Sequence, residues 1–235
     1  MKDTSARVAE NIARVRDRIA AAAARSGRAA SAVCLVAVTQ YVDADVAAAL
    51  VAGGCHDLGE SRPQSLWAKA AELEGLEIHW HLIGHLQRNK IRRTLPLVHL
   101  IHSADSRRLL AALDEEAGLA GRTVDVLLEV NVTDDRTKTG LPVAELEAAL
   151  QWAAGLDHVR VRGLMGMASL GGGDEVAHRD FARLRALRDR VSANCPPGIA
   201  LDQLSMGMSN DFEIAIEEGA TIVRVGSALF DGVVT

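Results

Sequence analysis

The sequence predicts an α/β fold, a single (β/α)8 TIM-type barrel with an extra helix at its N-terminus. Three observations carry that expectation: eight short apolar runs, amphipathic helical stretches in the gaps between them, and hydrogen-bonding side chains where the runs end. Continuous apolar strands alternating with amphipathic helices imply a parallel sheet covered by helices. Eight such repeats suit the roughly 200–250 residues of a barrel of this kind, and the chain has 235. A doubly wound open sheet is the alternative arrangement of the same elements.

The first element is a helix within residues 1–28, where Val8, Ile12, Val15 and Ile19 recur at spacings of four, three and four and Gly27 ends the pattern. Preceding the first strand, it flanks the barrel. The strand-like runs follow in order: AVCLVAV (32–38), CHDLGE (55–60), IHWHLIG (78–84), LVHLIHS (97–103), TVDVLLEVNV (123–132), VRVRGLMGMA (159–168), IALDQLSMG (199–207) and TIVRVGSALF (221–230). Between them, Leu146, Ala149, Leu150 and Ala153 mark one apolar helix face, and Phe181, Leu184, Leu187 and Val191 another. SLGGGDE (169–175) reads as a loop over the mouth of the barrel, with Asp174 as the next helix cap. No linker divides the chain, so residues 1–235 are expected to form one domain.

Active sites in this fold gather at the C-terminal ends of the strands. The polar residues there are therefore the candidates, among them Thr39 and Gln40, Glu60 and Ser61, His85, Ser205 to Ser209, and Arg224 to Ser227. SMGMSND (205–211) combines two hydroxyls with a glycine, and Asn210 and Asp211 then open a helix whose free N–H groups suit a phosphate. In VRVGS (223–227), Gly226 permits close backbone approach and Ser227 adds a donor. Helix capping alone would explain Ser205, Ser209 and Asp211, but it leaves Arg224 in an apolar strand without an acceptor or anion. Glu60 reads as a loop hydrogen-bonding group rather than a base.

Composition removes several classes of function. A net charge of −5 argues against general nucleic-acid or membrane-surface binding, and the basic stretch 88–93 reads as a solvated helix face. Cys34, Cys55 and Cys195 lack the paired spacing of a zinc site and read as reduced thiols. His79, His81 and His85 have no carboxylate or cysteine at ligand spacing, so no metal is expected. The charged N-terminus holds no apolar block of signal-peptide or membrane-span length, which makes the expected location cytoplasmic.

LVAVTQYV, HDLGESRPQ, WHLIGHLQRNK, IHSADS, LLEVNVTDDRTKTG, VRGLMGMA and LSMGMSNDFEIAIEEGATIVRVGSALF, in that order and across nearly the whole chain, resemble the pyridoxal phosphate homeostasis proteins, also described as YggS/PROSC-like. The resemblance implies the barrel of the alanine racemase N-terminal domain, without the second domain of that enzyme, and pyridoxal 5′-phosphate held as a Schiff base to a lysine ending strand one. It places the phosphate against Ser205, Ser209, Gly226 and Ser227, and Arg224 against the pyridine nitrogen. His81, His85 and Met206 would line the ring or its approach, and Lys138 would reach the site from strand five. Two positions depart from the family pattern. Gln40 occupies the position of the Schiff-base lysine, and Ser61 stands where many members have asparagine.

A carboxamide cannot form an imine, so the cofactor is expected to bind non-covalently, with Gln40 hydrogen-bonding its aldehyde or phenolic oxygen. A bare phosphate or sulfate would suit the same site. The expected function is a non-catalytic monomer that buffers the cofactor or delivers it to pyridoxal phosphate-dependent apoenzymes. A racemase-like or other phosphate-binding barrel enzyme is the alternative. Racemization, however, requires two acid/base groups on opposite faces of the substrate carbon, and the lysine base is missing.

Overall fold

The structure, a computed structural model, describes residues 2–133, 135, 137–169 and 171–233. Eight parallel strands form its centre: β1 Cys34–Val38, β2 Asp57–Glu60, β3 His79–Leu82, β4 Val98–Ala104, β5 Val124–Asn131, β6 Val159–Met165, β7 Gln203–Ser205 and β8 Ile222–Val225. Each pairs with its sequence neighbour, and β1 also pairs with β8, so the sheet closes into a barrel and the open-sheet alternative is excluded. A two-residue strand, Leu141–Pro142, adds to the end of β5. The expected runs are longer than the strands because their last residues turn out of the sheet. Gly226, for example, leaves β8 and opens a 3-10 turn at Ser227–Leu229.

The helices are α1 Lys2–Arg25, α2 Ala44–Ala52, α3 Pro63–Glu72, α4 Ile91–Thr94, α5 Arg107–Leu119, α6 Leu146–Ala153, α7 Gly173–Ser192 and α8 Phe212–Glu217. The apolar stripe of α1, Val8, Ile12, Val15 and Ile19, is fully buried. It packs on α2 and α8, and Arg18 grips Glu213 of α8 through two hydrogen bonds of 2.9 and 2.7 Å. The Asn11 amide donates to the carbonyls of Leu229 and Asp231, both at 3.0 Å, and so fastens α1 to the segment after β8.

Two helix caps differ from expectation. Gly172 takes the cap position of α7, and Asp174 falls within the first turn. Asp211 precedes α8, but its carboxylate accepts from the Met208 N–H at 2.6 Å and folds the loop instead of capping the helix. That loop needs glycine at 207. Gly207 has φ of +90°, and a Cβ there would lie 2.5 Å from the Ala215 Cβ and 2.9 Å from the Phe212 Cα.

Alternation along each strand divides the residues between two cores. Ala37, Leu58, Leu82, Ile101, Val126, Leu164 and Val223 face the helices and join the large outer core. Val36, Leu100, Leu127, Met165 and Ile222 form a separate apolar cluster inside the barrel. The rest of the interior is polar, with His81, His102, Ser205 and Arg224 all buried. No helix among the described residues is long and apolar enough to cross a membrane.

Candidate functional site

A cavity of about 710 Å3 opens at the C-terminal ends of the strands, within the range of small-molecule and cofactor sites. Val38 and Gln40 line one side of it. Thr39 between them faces the helices, as alternation requires. Ser209, Arg224, Gly226 and Ser227 line it as well, together with Gly171, Gly172 and Gly173.

Behind Thr39 lies a buried ion pair that the sequence reading missed. Lys69 of α3 places its Nζ 2.5 Å from Glu60 Oε1 and 2.5 Å from the Thr39 carbonyl oxygen, while Thr39 Oγ1 donates to the same Glu60 oxygen at 2.6 Å. All three residues are buried on the helix side of the wall. Glu60 is therefore committed to holding the end of β1, and Lys69 is committed to Glu60. Lys138 is placed differently, with its Nζ donating to the carbonyl of cavity-lining Ala168 at 3.0 Å.

Arg224 carries the charge of the site. Nη1 donates to Ser205 Oγ at 2.6 Å and Nη2 to the Gly166 carbonyl at 3.3 Å. Both partners are neutral, and burial pushes the guanidinium down to about 10, while Asp211 and Glu129 favour its charged form from further away. A buried cation with neutral partners at a cavity wall suits a ligand acceptor or anion.

Opposite the alternated strand ends, the Gly226 N–H donates to Ser209 Oγ at 3.0 Å and the Ala228 N–H points at the same oxygen at 3.5 Å. Two backbone donors thus already converge on one oxygen, as a phosphate requires. The close approach expected of Gly226 is not needed here: a Cβ at 226 would meet the Val38 carbonyl at 3.4 Å, an ordinary contact. Ser209 already takes both amides, so a phosphorylated ligand here would meet the Ser209 hydroxyl or take its place on them.

Other candidates are placed elsewhere. Ser205 stands behind Arg224, bonded to the guanidinium and to His102 Nδ1 at 2.8 Å, so the expected phosphate contact is revised to a contact with Arg224. Met206 is buried in the helix-facing core, since it points the opposite way from Ser205. His85 is exposed, with Nδ1 3.4 Å from Asp105, and Ser61 is half-buried beside Gly84, outside the cavity lining. His81 lies lower in the barrel, bonded to His102 and Asp57. Asp211 lines the cavity, and burial raises its carboxyl despite the Met208 N–H it accepts. The sequence signal for it was the polar run after β7, which was read as a helix cap.

Residues 5–232 match the family model described as the alanine racemase N-terminal domain. The pyridoxal phosphate homeostasis protein of Aquifex aeolicus is 38% identical over 221 residues, covering 94% of this chain and 96% of that one. The protein of the same name from Escherichia coli K12 is 34% identical over 226 residues, with 95% of each chain covered. Among solved structures, PipY of Synechococcus elongatus with pyridoxal phosphate bound is 36% identical with a TM-score of 0.85, covering 95% of this chain and 99% of that one. The alanine racemase of Streptomyces coelicolor, at 19% identity and a TM-score of 0.75, shares the fold, with 96% of this chain matching 58% of it. Closed barrel, convergent amides, buried arginine and these likenesses agree, and the chain belongs to the pyridoxal phosphate homeostasis protein family.

Proposed function

We propose that this protein binds pyridoxal 5′-phosphate in the cavity at the barrel mouth without a covalent bond at position 40, and that it holds or hands on the cofactor without catalysing a reaction. It acts as a cytoplasmic monomer, and pyridoxal phosphate-dependent apoenzymes receive its cargo. The buried Arg224 in a cavity that Ser209, Gly226 and Ser227 also line carries this reading: the hydroxyls of Ser209 and Ser227 suit a phosphate, and Arg224 offers a cation to the ring. Gln40 lines the same cavity and offers a hydrogen bond in place of an amine. When bound, the cofactor supplies a reactive aldehyde. The side chain of position 40 leaves that aldehyde free, which suits transfer more than turnover.

Thermal unfolding with three ligands tests the reading. A ligand that binds only the folded state at 100 times its Kd stabilises by about 2.7 kcal/mol. Pyridoxal phosphate should raise the midpoint most, inorganic phosphate less, and pyridoxal least. Equal shifts with pyridoxal and its phosphate would remove the phosphate site, and no shift with any of them would remove the cofactor.

A further inference from the structure

We propose that His81 and His102 are positioning residues for Arg224, joined with Ser205 and Asp57 into one hydrogen-bonded line of fixed direction through the barrel. The inference rests on the cofactor-binding reading for its consequence, and on geometry alone for the line itself. Four contacts define it: Arg224 Nη1 to Ser205 Oγ at 2.6 Å, Ser205 Oγ to His102 Nδ1 at 2.8 Å, His102 Nε2 to His81 Nδ1 at 2.8 Å, and His81 Nε2 to Asp57 Oδ1 at 3.0 Å. Three of the four residues behind Arg224 are buried, and Asp57 opens to solvent at the start of β2.

The two ends set the direction. A guanidinium only donates and a carboxylate only accepts. Arg224 therefore donates to Ser205, the Ser205 hydroxyl donates to His102 Nδ1, His102 Nε2–H donates to His81 Nδ1, and His81 Nε2–H donates to Asp57. Each ring then carries a proton on Nε2 and accepts at Nδ1, so each ring nitrogen has one partner. Reversing one histidine sets two N–H groups or two lone pairs against each other at 2.8 Å, and reversing His102 and His81 together requires a buried imidazolium at His81 and leaves the Ser205 hydroxyl proton without its acceptor.

Two electrostatic features agree. Burial, with the charge of Arg224 adding to it, holds His102 well below the ordinary imidazole range, which keeps that ring neutral. Burial of Asp57 opposes its ionisation, but the hydrogen bond from His81, with His79 nearby, outweighs it and holds the carboxyl below its ordinary value.

The consequence falls on the cavity. The single hydroxyl proton of Ser205 is committed to His102, so Oγ presents a lone pair to Arg224. Without that commitment the hydroxyl would rotate and the guanidinium would lose a defined partner. The line thus keeps Arg224 as a donor facing the cavity and offers no transferable proton to the ring nitrogen of the cofactor.

Selective nitrogen-15 labelling of histidine, read by NMR near neutral pH in the ligand-free chain, tests the line itself. The expected result is the neutral Nε2–H tautomer at both His81 and His102, and an Nδ1–H tautomer at either overturns the proposal. Binding of pyridoxal phosphate tests its role. His102→Leu removes the acceptor of Ser205 and should weaken binding by about tenfold, the scale of one lost buried hydrogen bond. His102→Gln should restore it to within about threefold, because a carboxamide oxygen accepts from Ser205 while its NH2 donates to His81. His81→Leu, one residue further from Arg224, should turn His102 into a mixture of tautomers and weaken binding by roughly threefold. Equal affinities for wild type and His102→Leu, or equal losses in the Leu and Gln variants, overturn the positioning role. If His102→Leu does not fold, the Gln and His81 variants with the tautomer spectrum decide. A wild type that shows no affinity for pyridoxal phosphate overturns the functional reading instead, and the tautomers still decide the line.

Discussion

The resemblance puts Gln40 at the position of a Schiff-base lysine, and the surrounding residues make that placement testable. Gln40 lines the cavity together with Arg224, Gly226 and Ser209, so a lysine there would extend into the same space. Partial burial disfavours the charged form of such an amine and raises its reactive fraction. Gln40→Lys is therefore expected to give a yellow complex with pyridoxal phosphate that survives desalting. Borohydride reduction and peptide mapping should place a pyridoxyl group on residue 40 in that variant and on no residue 40 peptide in wild type. A folded but colourless variant would mean that the phosphate end is misassigned. In wild type, any adduct that does form is expected on Lys138, whose amine already reaches the cavity wall at Ala168. Cys34, at the opposite end of β1, gives a second residue-scale expectation. Burial, with the charge of Asp57 adding to it, pushes its thiol up to about 12. Thiolate is the reactive species, so Cys34 should resist iodoacetamide near pH 8 in the folded protein and react once the chain is unfolded. Mass spectrometry of the alkylated peptide reads the difference directly.

Between elements, the join of α3 to the ends of β1 and β2 is the contact most exposed to damage, because Lys69 and Glu60 are both buried and share their charges with Thr39. Removing one partner of a buried pair leaves an uncompensated charge. Lys69→Met should lower stability by about 3–5 kcal/mol in denaturant unfolding, whereas Lys69→Met with Glu60→Leu should recover much of the loss. Equal losses in the single and double variants would show that packing of the lysine stem, not the charge, is what α3 contributes. This pair also shows what strand patterning left unread. The apolar runs placed all eight strands, since inner and outer cores both demand apolar residues from them. They did not show which neighbour answered Glu60, because Lys69 comes from a helix whose register depends on the Pro63 start of α3. Arg224 was legible as a cation in an apolar strand. The line behind it was not, because His81 and His102 are 21 residues apart and His102 and Ser205 are 103 apart, and β3 and β4 pair with a register shift at Trp80/His81. Ser205 was read as a phosphate contact for the same reason: alternation put it inside the barrel, but only the neighbouring strands show that Arg224 lies in front of it.

Closure of the barrel makes the whole molecule respond to pH through groups that the fold has taken out of water. His99 and His102 are held below the ordinary imidazole value of 6.5, chiefly by burial. In both, the unfolded chain binds a proton more readily than the folded chain, so stability rises with pH up to about the unfolded value and falls as pH drops below it. Asp57, Asp180 and Glu213 are held below their ordinary values by their hydrogen bonds and nearby cations, against burial that raises them. Their contribution is present above the unfolded carboxylate range and is lost at lower pH, as each becomes protonated in turn. Glu129 and Asp211 are raised by burial, so they work the other way: their contribution is largest in acid and is lost as pH rises through their folded values. The ordinary histidine value of 6.5 lies closer to neutral pH than the carboxylate values, so the histidines act first on acidification. The expected curve has a broad plateau around neutral pH, a fall in the unfolding midpoint beginning near pH 6.5, and a second fall in the carboxylate range. If residues 1–235 form one domain, calorimetry should show a single cooperative transition on the plateau with calorimetric and van't Hoff enthalpies in agreement. His102→Gln should weaken the first fall while leaving the second in place. A midpoint that stays flat from neutral pH down to the carboxylate range, or a first fall that His102→Gln leaves unchanged, would show that the buried histidines do not set the acid response.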